Sequence, residues 1–76
     1  MGEGWTRLPG GGWMRDMGEG LVLAAEAVPG GYEPQCWQGR EALFRGPVRA
    51  DAAHAAGIAH GWLLGREAQG KEGGAG

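Results

Sequence analysis

A chain of 76 residues has room for one domain and one small core, which excludes a multidomain enzyme. Its 18 glycines and 4 prolines approach the range of low-complexity chains, but four tryptophans argue for packing, because an unfolded chain rarely carries so much aromatic surface. The formal net charge is −2 with the two signs interleaved and no polybasic run, so the chain lacks both the overall charge of a nucleic-acid binder and that of an acidic DNA mimic.

Trp5 to Leu8 lies between glycines and reads as a short edge strand, closed by the turn Pro9-Gly10-Gly11-Gly12. From Trp13 to Met17 the pattern alternates, with Trp13, Arg15 and Met17 on one face. Gly18-Glu19-Gly20 has hairpin length. Leu21 to Val28 is the best strand candidate, with Leu21 and Leu23 on one face and Val22 and Glu26 on the other; Pro29-Gly30-Gly31 ends it. Tyr32 to Gly39 is a further strand region, and Pro34 puts its start at an edge or just outside the ladder, since proline has no N–H to donate. Ala42 to Arg45 fits a short strand ended by Gly46-Pro47. From Ala50 or Asp51 to Glu67 the period turns helical. Ala52, Ala55, Ala59, Trp62 and Leu63 share a stripe, and Asp51 stands where a cap belongs.

The order predicts an α+β domain over residues 1–68, a small antiparallel sheet of three to four short strands packed against one C-terminal helix. Residues 69–76, small, polar and glycine-rich, read as a disordered tail. Trp13, Leu21, Leu23, Trp37, Phe44 and Trp62 are the core candidates.

Few residues suit catalysis. Cys36 is the only thiol, with His54 and His60 as candidate bases, and it sits mid-strand beside Trp37, where buried structural cysteines are common. His54 and His60 are six apart, about 120° around a helix, so they cannot share a metal-ligand face, and no second cysteine completes a zinc site. Gly10-Gly11-Gly12 leads into a strand and not a helix N-terminus, so it is a turn and not a phosphate cradle. No catalytic residue, metal or cofactor is expected. A lone cysteine and the lack of a signal-like segment point to a reducing, cytoplasmic setting.

Two features suit binding. Gly57, Gly61 and Gly65 recur every fourth residue. Such a row packs against the chain's own sheet, forms a helix contact in a homodimer or with a partner, or reflects composition alone. Arg40, Arg45 and Arg49 form the densest basic group, near Trp37. An arginine–aromatic surface of this kind is a protein-binding hot spot, a holder of single-stranded nucleic acid, or simply solvated charge.

Trp5, the Gly12-Trp13 start, Trp37 in a mid-chain strand, the Gly46-x-Val48 step and the helix opening Ala52-Ala53-His54-Ala55-Ala56 together resemble small phage and prophage proteins, in particular compact anti-CRISPR inhibitors of type I systems. The resemblance spans most of residues 5–67. It implies a non-enzymatic inhibitor in the cytoplasm of a host bacterium that docks on a Cas surveillance complex and blocks target DNA binding. That group shares no binding residues, so none is transferred by position. The expected partner-binding set is Trp5, Trp13, Arg15, Tyr32, Trp37, Arg40, Arg45 and Arg49, with the Gly57-Gly61-Gly65 stripe beside it. The alternative is a small nucleic-acid-binding module using Arg40, Arg45, Arg49 and Trp37.

Overall fold

A computed structural model describes the backbone of residues 2–75 and the side chains as far as Gln69. The elements follow one another as β1 (Trp5–Arg7), β2 (Trp13–Gly18), β3 (Leu21–Val28), β4 (Gly31–Gln38), β5 (Glu41–Arg45) and α1 (Ala52–Ala75). Each strand pairs antiparallel with the next, giving one sheet in the order β1-β2-β3-β4-β5. Local turn chemistry sets this topology, because every link is a hairpin. At the β3–β4 link, Pro29 supplies a fixed φ and Gly30 the positive φ of 91°, the pairing a type II turn needs.

The sheet has five strands, one more than the upper expectation of four. Trp5–Arg7 pairs with Arg15–Trp13, a strand too short for its own alternation to show but held by the Trp5 side chain, which packs against both parts of the core. Bulges interrupt the ladders at Asp16/Gly18 and Cys36/Trp37, and Pro47 follows β5 closely. A bulge in the last strand pair, a nearby proline and a first strand of three residues all discourage further pairing at the edges.

Alternation along paired strands divides the sheet into two faces. Register puts Leu23 opposite Cys36, Ala25 opposite Pro34, Trp13 opposite Ala25 and Phe44 opposite Cys36, all on the face the helix covers. There the core forms two clusters. Leu23 and Cys36 meet Ala59 and Leu63, while Ala25 meets Ala55 and Ala56. Alanine at these helix positions lets the backbone lie close to the sheet, and the half-buried aromatics fill the margins. Phe44 and Trp62 stack there with ring centroids 5.0 Å apart. Trp37, expected in this core, lies on the other face, because it alternates with Cys36 and Cys36 points inward.

The crossover to the helix depends on Gly31. Tyr32 N donates to Arg49 O at 2.7 Å and Arg49 N donates to Tyr32 O at 2.8 Å, tying the segment after β5 across the end of β4. A Cβ on Gly31 would overlap the Arg49 carbonyl, and its φ of 147° already disfavours other residues. Asp51 then caps the helix as expected, its Oδ1 accepting from Ala53 N at 2.9 Å. Burial along the helix ends at Leu63, and residues 64–69 are exposed. The helical backbone continues to Ala75, past the expected end at Glu67. The expected disordered tail falls mainly on residues 70–76, whose side chains lie outside the described residues. Among the described residues no helix is long and apolar enough to cross a membrane.

Candidate functional site

With one helix on one face, no element among the described residues lies over the opposite face of the sheet. The register assigns its residues: Thr6 from β1, Met14 and Asp16 from β2, Val22, Ala24 and Glu26 from β3, Glu33, Gln35 and Trp37 from β4, and Arg45 from β5. Met14, Ala24, Gln35 and Arg45 form one row across the strands, and Asp16, Val22 and Trp37 the next.

A hydrogen-bonded chain runs along β4 on this face. Trp37 Nε1 donates to Gln35 Oε1 at 2.8 Å, and Gln35 Nε2 donates to Glu33 Oε1 at 2.8 Å. Arg45 Nη1 reaches the same Glu33 oxygen at 3.4 Å, and its guanidinium lies over the Trp37 ring, 5.4 Å from the centroid. Only 2% of Gln35 is exposed, so its amide is held by its two neighbours rather than by water. Trp37 is therefore fixed in orientation and half-buried, with the Arg45 guanidinium over its ring. A rigid indole with an arginine beside it is the composition of a binding hot spot, since little side-chain entropy remains to be lost on contact.

The other expected contact residues lie elsewhere. Trp5, Trp13 and Tyr32 are half-buried against the helix-side core. Arg15 stands on that side too, close to Gly4, and Arg7 lies over Trp13 at 5.8 Å. Arg40 is in the β4–β5 turn and Arg49 at the opposite end of β4, a separation of about 20 Å at strand rise. Arg40, Arg45 and Arg49 thus form no compact patch, and Arg45 is engaged by Glu33.

The glycine row faces away from the sheet. A Cβ at Gly57, Gly61 or Gly65 would meet nothing within 4 Å, so the reading in which this row packs on the chain's own sheet does not hold. Two shallow grooves border it, one of about 440 Å³ beside Gly61, Trp62 and Gly65, the other of about 210 Å³ beside Trp5, Gly57 and His60. Cys36 is buried under the helix, where desolvation pushes its thiol upward and Arg66 only partly opposes the shift. A thiol kept protonated in an apolar cluster is a poor nucleophile. His54 is exposed and His60 half-buried, both on the helix.

Glu33 and Gln35 were absent from the expected site. Their signal was present in the alternation Glu33-Gln35-Trp37, but nothing local shows which face of a strand the helix will cover. No family model, curated protein or solved structure matches the chain.

Proposed function

We propose that this chain is a small non-enzymatic interaction protein that binds a protein partner through the uncovered face of its sheet. The observation that supports it is the fixed Trp37–Arg45 pair on a face flanked by half-buried Met14 and Val22. Such a face offers apolar contact at its centre and hydrogen-bonding groups around it, the usual anatomy of a protein interface. An ordinary interface, roughly 800 Å² per partner, would take up most of one side of so small a molecule.

The resemblance to type I anti-CRISPR inhibitors supplies the partner to test first, a Cas surveillance complex whose binding to target DNA would be blocked by occupation of its surface. The nucleic-acid alternative is less favoured. Its three arginines are spread along β5 and its flanks, and Glu26 and Glu33 stand opposite each other on the face that carries Trp37.

The tagged chain should capture type I Cas subunits from a lysate that contains them, and Trp37→Ala should abolish the capture. Recovery of no Cas subunit rejects this partner. Capture that collapses between low and moderate salt, or that needs nucleic acid, supports the alternative.

A further inference from the structure

The uncovered face has a distribution of charge that the chain's total conceals. Nine acidic and seven basic residues give the formal charge of −2. On the uncovered face, Asp16, Glu26 and Glu33 stand against Arg45 alone. That face by count carries the whole excess, and the remaining six acidic and six basic residues cancel.

The three carboxylates differ in what holds them. Asp16 Oδ1 accepts from Gly18 N at 2.8 Å and serves the turn. Glu33 is engaged by Gln35 and Arg45. Glu26 is exposed and forms no ion pair among the described residues, yet it is the cross-strand neighbour of Glu33. Like charges directly opposite in a sheet destabilise it. Arg45 cannot relieve both, since it already spans Glu33 and the Trp37 ring. Next to the acidic pair, buried Ala24 and half-buried Val22 follow along β3, with half-buried Met14 opposite Ala24 on β2.

We infer that the partner surface received by this face is cationic with an apolar centre: an arginine or lysine seated between Glu26 and Glu33, and an apolar side chain over Val22 and Met14. This inference rests on the interaction reading above and adds the chemistry of the partner. Charge complementarity selects it. A neutral apolar surface would leave two opposed carboxylates desolvated with Arg45 as their single counter-charge, and an anionic one would repel them.

The test uses the full chain and three probes: a six-residue peptide alternating Arg and Leu, its Glu–Leu counterpart, and a short single-stranded oligothymidylate. The Arg–Leu peptide should shift the amide resonances of Val22, Ala24, Glu26 and Glu33 and the Trp37 indole, leaving helix resonances unmoved. Glu26→Gln should weaken that binding about fivefold or more, with Tm no lower than the parent's, because Glu26 has no ion pair to lose. Glu67→Gln on the helix should leave it unchanged. Equal binding of the Glu–Leu peptide, tighter binding of the oligonucleotide at the same face, or indifference to Glu26→Gln would each overturn the inference. Cas capture that needs Trp37 but ignores Glu26→Gln would keep the interaction reading and reject this one. Peptide binding without Cas capture would do the reverse for the Cas assignment.

Discussion

A Cβ added at Gly31 would run into the Arg49 carbonyl, whereas one added at Gly61 would meet open space on a helix surface. The two positions should therefore answer the same substitution with opposite signs. Gly61→Ala should stabilise by about 0.5–1 kcal/mol, because it restricts the unfolded chain and improves helix propensity without a clash. Gly31→Ala should destabilise by more than about 2 kcal/mol and disturb the crossover that sets the helix on its face. Denaturant titration of both variants measures the difference, and a destabilised Gly61→Ala would mean that the glycine row is covered in solution. Cys36 gives a second test at this scale. Burial raises its native pKa above the unfolded value, so its contribution is complete below about pH 8.5 and is lost as pH rises through the native value. The stability gap between the parent and Cys36→Ala should narrow at alkaline pH, and the thiol should react with Ellman's reagent only as the protein unfolds.

The helix shows how element identity and element role separate. Its start was legible, since Asp51 before an alanine-rich run is a cap with a helix former behind it, and the cap forms. Its inward stripe was legible as well: Ala55, Ala59 and Leu63 are buried, and Trp62 packs at the margin. Ala56 joins the buried set because the sheet is broad enough to meet more than a single row. The interface works through small residues, so it should tolerate added volume poorly. Ala59→Leu should cost about 2 kcal/mol by forcing the helix away from Leu23 and Cys36. A Tm equal to the parent's would contradict the close approach. The first strand was legible only from the glycines that flank it. Three residues carry no readable period, and Trp5–Arg7 is a strand because β2 offers it a ladder and the core receives Trp5.

For the whole molecule, the decisive event is the choice of one sheet face by one helix. That choice divides the tryptophans: Trp5, Trp13 and Trp62 pack with the core, and Trp37 is left with Gln35 and Arg45 on the other side. Stability and binding should divide the same way. Trp62→Ala removes the Phe44 stack and should cost about 3 kcal/mol, lowering Tm by some ten degrees or more, while the folded fraction keeps its partner affinity. Arg45→Ala removes a largely exposed ion pair worth at most about 1 kcal/mol, yet should weaken partner capture. Thermal melts and binding assays on the same two proteins check the separation. If Arg45→Ala binds as the parent does, the contact lies elsewhere.

Turn chemistry, alternation and capping are local, so the sequence alone determined the hairpins, the facing of residues within each strand and the start and inward stripe of the helix. Eight of the 18 glycines that first suggested a low-complexity chain, at 10–12, 18, 20, 30, 31 and 39, are the punctuation of those hairpins. Which sheet face is covered, the outward direction of Gly57, Gly61 and Gly65, and the meeting of Glu26, Glu33, Gln35, Trp37 and Arg45 on one surface are different in kind. Each depends on register between strands and on the path from β5 to the helix, which Tyr32, Arg49 and Gly31 set through contacts between distant parts of the chain. Strand alternation states that two faces exist, and only packing decides which becomes the core and which stays uncovered.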